Sequence, residues 1–159
     1  MAEIILSHTD FADLSTQILQ QGTSLRFTAH GSSMSPFIRD GDVMTVEPVR
    51  VADLKVGDVV FYHTNGEMLA AHRVVCRHVE GDEIVLTMRG DSSLRYDEKV
   101  HAGRVLGRVV NVQRGKKVFH LNKGWMRVLP ILWITSTPLR SILLRIAWRV
   151  RKVVAAFIS

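Results

Sequence analysis

A serine hydroxyl becomes a nucleophile only when a neighbouring base removes its proton, and the oxyanion that follows needs N–H groups converging on one point. The run Gly31-Ser32-Ser33-Met34-Ser35-Pro36 offers hydroxyls among small residues and ends in proline. Such a composition breaks regular structure and can expose a side chain. Loops are rich in serine, so an ordinary turn is the simpler account on composition alone. The chain has 7 histidines as possible bases. His72 lies inside the strand-like stretch 69–75, where a fixed position can be built, whereas His63 and His78 lie near turns and His101 in a polar stretch. A lone strand histidine is more often structural. Asp91 and Asp97 could each orient such a base in the manner of a third catalytic member, or could cap a turn. Metal hydrolysis is not indicated: no His-Glu-x-x-His spacing occurs, and a single cysteine, Cys76, excludes a multi-cysteine zinc site. Cys76 is expected to be a small buried residue. No cofactor or metal is expected.

The elements that must position these groups are mostly strands. A short helix is expected over 10–22, with Asp10 as cap, Phe11, Leu14 and Ile18 on one face, and Gly22 at its end. Leu25, Phe27 and Ala29 then alternate at strand period. From Asp42 to about Leu121 short strands and turns succeed one another: 43–46, 58–62, an Asn65-Gly66 hairpin, 68–79, 83–88, a polar loop, 104–112 and 118–121. This predicts a mainly β fold, a compact barrel or sandwich-like domain over 24–122, preceded by the helical segment 1–23 and followed by a helical tail over 123–159.

Hydrophobic residues make up 47% of the 159 residues and charged ones 23%, enough apolar content for a real core and against extended disorder. The net charge of +6 is unevenly distributed: all 15 acidic residues lie at or before Glu98, and 13 of the 21 basic ones follow it. Pro130 and Pro138 interrupt the first half of the tail. From Ser141 onward, Leu143, Ile146, Ala147, Val150, Val154 and Phe157 share a broad helical face, with Arg145, Arg149 and Lys152 opposite. That is a basic amphipathic helix, and Trp125, Trp133 and Trp148 suit a membrane interface. Arg140 and Arg145 oppose a true span. Met1 to Leu6 carries no basic n-region, so no signal peptide is expected. The tail is expected to hold the protein peripherally at a membrane surface, the cytoplasmic side being favoured, unless it docks on its own domain or on a partner. No nucleic-acid partner is expected, because a continuous apolar face suits lipid or protein better than phosphate. The oligomeric state stays open.

Four segments, in order, carry a family resemblance. Gly31-Ser32-Ser33-Met34-Ser35-Pro36 followed by Gly41-Asp42 resembles the nucleophile segment of type I signal peptidases. Val56-Gly57-Asp58-Val59-Val60 resembles the strand that follows. Ala71-His72-Arg73-Val74-Val75 resembles the general-base segment in its endoplasmic-reticulum-type form, where histidine replaces lysine. Thr87-Met88-Arg89-Gly90-Asp91, with Asp97 behind it and Leu106-Gly107-Arg108-Val109-Val110 closing, completes the order. The resemblance implies a mainly β fold, Ser33 as nucleophile, His72 as base, and Asp91 or Asp97 as its support, with Asp97 slightly favoured. It also implies a peptide or preprotein substrate cut after small residues, and a histidine base implies activity that falls below about pH 6–7. Typical members carry a spanning helix ahead of the serine segment; here the short helix stands there, so the anchor is expected in the tail. The related self-cleaving repressor peptidases share the fold but use lysine as base and carry a DNA-binding domain, for which the stretch before Ser33 leaves little room. A non-catalytic binding module on the same fold is the alternative function.

Overall fold

In the computed structural model, residues 7–65, 68–93, 98–121 and 125–135 are described. The chain opens with α1 (His8–Gln20). Ser7, not Asp10, is its cap: Ser7 Oγ accepts from the Asp10 N–H and donates to the Asp10 carboxylate at 2.6 Å. The hydroxyl thus satisfies one N–H of the first turn while the carboxylate steadies it. At the other end Gly22 takes φ +79°, and the Thr23 and Gly22 N–H groups return to the carbonyls of Ile18 and Leu19. This Schellman closure needs a left-handed residue, which glycine supplies. The buried face also differs from the expected one. Ser15 and Leu19 are buried with Phe11 and Ile18 beside them, while Leu14 is 43% exposed.

The strands are β1 (Leu25–Thr28), β2 (Val43–Glu47), β3 (Val59–His63), β4 (Leu69–Glu80), β5 (Glu83–Arg89), β6 (Glu98–His101), β7 (Val105–Arg114) and β8 (Lys117–His120). They form one 8-stranded sheet in the order β1-β2-β7-β3-β4-β5-β6, with β8 also on β7. Every pairing is antiparallel. The sheet curls into a half-barrel, so the expected mainly β domain is found. One face packs Val59, Phe61, Met44, Val46 and Val109 against Leu19 of α1. The other gathers Val60, Tyr62, Val74, Leu86, Met88 and Val100.

Three local expectations are corrected. Residues 98–101, expected in a polar loop, form β6, because pairing with β5 buries the single apolar residue Val100. Cys76 is exposed rather than buried: a bulge between Val74 and Cys76 shifts the register, and the strand beyond it runs out of the core paired with β5. Pro130 does not interrupt the tail there. It lies inside α2 (Trp125–Thr135), where a proline removes one backbone bond. Phe37 and Trp133 meet edge to face at 6.4 Å, and Met126 packs on the first core. No helix among the described residues is long and apolar enough to cross a membrane. The basic amphipathic segment from Ser141 lies outside the described residues.

Candidate active site

Ser33 sits on a loop held from several directions. Next to β1, Ala29 N–H donates to the Asp42 carbonyl at 2.7 Å and Gly41 N–H to the Ala29 carbonyl at 2.9 Å, closing the loop at its neck. Gly31 takes φ +96° and gives its N–H to the Asp40 carboxylate at 2.9 Å. Met34 and Ile38 are buried in the core, while Ser33 between these fixtures is exposed. From the opposite side, Ser92 donates its N–H and its hydroxyl to the Ser33 carbonyl, each at 3.0 Å, and the hydroxyl also reaches the Ser32 carbonyl. This approach depends on Gly90, because a Cβ there would lie 2.6 Å from the Ser33 carbonyl oxygen.

His72 lies on β4 directly opposite Val60 of β3. Residues opposite each other in an antiparallel pair share a face, and the residue two further along is a diagonal neighbour within reach of a ring. Tyr62 is that neighbour. Its hydroxyl lies 2.9 Å from His72 Nδ1, while His72 Nε2 lies 3.2 Å from Ser33 Oγ. The Tyr62 hydroxyl donates to Glu98 Oε2 at 2.8 Å. Glu98 Oε1 in turn accepts from Arg104 Nη2 at 2.8 Å and from the Asn65 N–H at 3.1 Å. Glu98 stands on β6, three strands from Tyr62; in a flat sheet that separation would be about 14 Å, and the curl removes it.

The electrostatics follow from this geometry. Burial lowers the His72 pKa from its ordinary value, and the charges of Glu98 and Asp91 only partly offset that. Burial pushes the Glu98 carboxyl up, but the bonds from Tyr62, Arg104 and Asn65 outweigh it and leave Glu98 below the usual range. Burial and the Glu98 carboxylate together raise the Tyr62 phenol, which keeps its proton.

Of the residues singled out from sequence, Ser33 and His72 are brought together. Asp91 is not beside His72. Both its oxygens are taken by Arg73, at 2.7 Å from Nε and 2.6 Å from Nη2, and both side chains are fully buried. The reason is strand alternation: Arg73 follows His72 and points to the other face, and Asp91 goes with it. Asp97 lies outside the described residues. His63 bonds Thr16 at 3.0 Å, His78 pairs with Glu80 and His101 with Glu83, and none of these contacts involves Ser33. Sequence reasoning missed Tyr62 and Glu98. The available signal was a tyrosine in an otherwise apolar buried strand, since a buried phenol needs a polar partner.

The Ser33–His72 pair lies between two hollows. A cleft of about 1140 Å³ runs from it along Ala29, Phe27, Met44, Phe61 and Ala71. A smaller hollow of about 480 Å³ on the other side is lined by Gly90, Ser93, Glu98 and Lys99. Hollows on both sides of a paired hydroxyl and imidazole suit an extended chain better than a compact small molecule.

No curated protein matches the chain. A family model described as Peptidase S24-like matches residues 3–110, a span that holds Ser33, Tyr62, His72, Asp91 and Glu98. The match does not single out the type I signal peptidase branch that the four segments resemble. It covers more than half of the chain and runs from ahead of α1 into β7, so the chain belongs to the Peptidase S24-like family and is built as a serine-peptidase-like domain.

Proposed function

We propose that the chain is a serine endopeptidase with Ser33 as nucleophile and His72 as general base. The observation that carries this is the 3.2 Å approach of Ser33 Oγ to His72 Nε2, with the far ring nitrogen already engaged. A base within hydrogen-bond reach of the hydroxyl, and neutral near pH 7, is what acylation requires. Ser33 Oγ attacks the peptide carbonyl as its proton passes to His72 Nε2. The imidazolium then returns that proton to the leaving amine, and water attacks the acyl ester with His72 again as base. Among the described hydrogen bonds none takes the Ser33 N–H, which leaves it for the oxyanion.

The substrate assigned here is a leader or signal-like peptide, or a preprotein bearing one, cut after small residues. The resemblance of the four segments supports this, and the apolar cleft with Ala29 and Ala71 in its wall is in keeping with it. Attachment to a membrane surface through 123–159, peripheral and on the cytoplasmic side, completes the reading. Its support is the basic tail, with no acid after Glu98.

The test is incubation of the full chain, with anionic vesicles, against a diverse set of leader-like peptides, read by mass spectrometry beside Ser33→Ala. Cuts after small residues should fall at least about 10³-fold in the variant, as expected for loss of a nucleophile. Equal cutting by both proteins rules out Ser33. In parallel, deleting 141–159 should weaken vesicle sedimentation; undiminished binding removes the membrane part and leaves the peptidase reading standing.

A further inference from the structure

We propose that Tyr62 and Glu98 are positioning residues that lock His72 in the tautomer protonated at Nδ1, so that Nε2 presents its lone pair to Ser33. The inference rests on the peptidase reading above for its purpose, but its geometry stands apart from it.

The argument is a count of protons. A phenol has one O–H, and an ionised carboxylate only accepts. The Tyr62 hydroxyl has two neighbours, Glu98 Oε2 at 2.8 Å and His72 Nδ1 at 2.9 Å. Its proton goes to the carboxylate, so its oxygen must accept, and His72 must donate from Nδ1. A neutral imidazole with its proton on Nδ1 has a bare Nε2. That bare nitrogen faces Ser33 Oγ at 3.2 Å and can take its proton. The opposite tautomer would place N–H against the hydroxyl and could not act as base.

The surroundings keep the phenol pointing this way. Tyr62 is 0% exposed, so no solvent competes for its hydroxyl. Glu98 is itself clamped. Arg104 and the Asn65 N–H occupy Oε1 and leave Oε2 for Tyr62. Arg104 is tied down in turn by donating Nε to the His63 carbonyl at 2.7 Å and by a bond to the Asn65 side chain. Tyr62 lines neither hollow, so it acts through His72 and not on substrate. The carboxylate acts at one remove through a neutral phenol, unlike the direct aspartate–histidine contact of a serine triad.

The clamp makes an isosteric variant informative. In Glu98→Gln, Arg104 and the Asn65 N–H still demand an oxygen, so the new amide turns its NH₂ toward Tyr62. The phenol then accepts from that NH₂ and donates to His72 Nδ1, which moves the ring proton to Nε2. Long-range proton–nitrogen spectra of the histidine rings read the tautomer in the full chain without any substrate. The wild type should show the proton on Nδ1, Glu98→Gln should show it on Nε2, and Tyr62→Phe should show a mixture. Tyr62→Phe should also lower kcat by roughly 10- to 100-fold, less than the 10²–10⁴ a general base supplies, with little change in KM. A wild-type ring protonated at Nε2, or a tautomer unchanged in both variants, overturns the proposal. So does a tautomer lost in Asp97→Asn but kept in Tyr62→Phe, which assigns the role to Asp97. Because the spectra need no turnover, a protein that cuts nothing can still confirm or overturn the lock.

Discussion

His72 and Arg73 are consecutive in β4, yet they face different surroundings. His72 opens toward the cleft. Its partners form a chain of neutral and charged groups that ends at Glu98 and Arg104, whose side chains remain 24% and 25% exposed. Arg73 points the other way, is fully buried, gives two bonds to Asp91, a third to the Gly57 carbonyl at 2.8 Å, and lies 5.8 Å over the Phe37 ring. One side is a partly screened polar chain that orients the imidazole. The other is a dry ion pair in which each guanidinium nitrogen and both carboxylate oxygens are engaged. They are linked through chain order: Asp91 is held by Arg73, and Ser92, next to it, holds the Ser33 carbonyl. In the proposed peptidase, the buried pair would serve by fixing the loop that supports Ser33, and the polar chain by setting the tautomer of His72.

The two sides should respond very differently to losing a charge. Arg73→Met leaves the Asp91 carboxylate buried without its partner, and such a break costs about 3–5 kcal/mol. Burial already pushes the Asp91 carboxyl up against the pull of Arg73. Once alone it takes a proton instead of staying charged, which limits the cost. The double variant Arg73→Met/Asp91→Leu removes both charges and should recover most of the loss. Glu98→Gln, on the exposed side, should cost about 1 kcal/mol or less. Urea unfolding of the four proteins measures this. Equal costs for Arg73→Met and Glu98→Gln would erase the distinction between the two sides.

How much of this was legible in the sequence follows the same division. The strands that alternate or run apolar, such as 58–62 and 104–112, announced themselves, and so did the irregular segment around Ser33. Its pairing with His72 came through resemblance, since neither residue declares a role by type alone. What escaped depends on tertiary shape. Ser15 in the middle of the buried stripe of α1 disguised its true face. β6 has one apolar residue and is a strand only because β5 pairs with it. Glu98 meets Tyr62 only because the sheet curls. Asp91 competes with Asp97 as support for the base because it follows Gly90 in the family pattern, yet an arginine inside a buried strand already requires a carboxylate of its own.

A substitution at the link between the two sides should separate positioning from stability. Gly90→Ala introduces a Cβ 2.6 Å from the Ser33 carbonyl oxygen and 3.4 Å from Ser33 Cβ. The oxygen is backbone and is already held by Ser92, so the loop around Ser33 must move. Overpacking of this kind costs about 1–3 kcal/mol. Cutting should fall far more than that cost explains, because Ser33 Oγ leaves the reach of His72, while the ring tautomer of His72 stays as in the wild type. An alanine variant that cuts normally would show that the Ser92 bridge does not hold the nucleophile.

The smallest effect is electrostatic and tests the exposed side directly. Burial disfavours the charged imidazole, so the His72 ring should titrate below its ordinary value of 6.5. Activity should then fail at a lower pH than an unshifted imidazole would give, as the pH passes through the lowered pKa and the base becomes protonated. The charges that act on the ring are Glu98 and, from the Arg73 side of β4, Asp91; both raise its pKa, with Arg104 and Arg73 as their respective partners. Glu98→Gln deletes the larger of the two raising charges, so its ring should titrate lower still. Asp91 is largely neutralised by Arg73 in both proteins, and the shift therefore reports Glu98. Proton resonances of the ring, followed against pH, give both midpoints in the full chain. A midpoint that rises in Glu98→Gln would mean that the Glu98 charge does not stabilise the imidazolium.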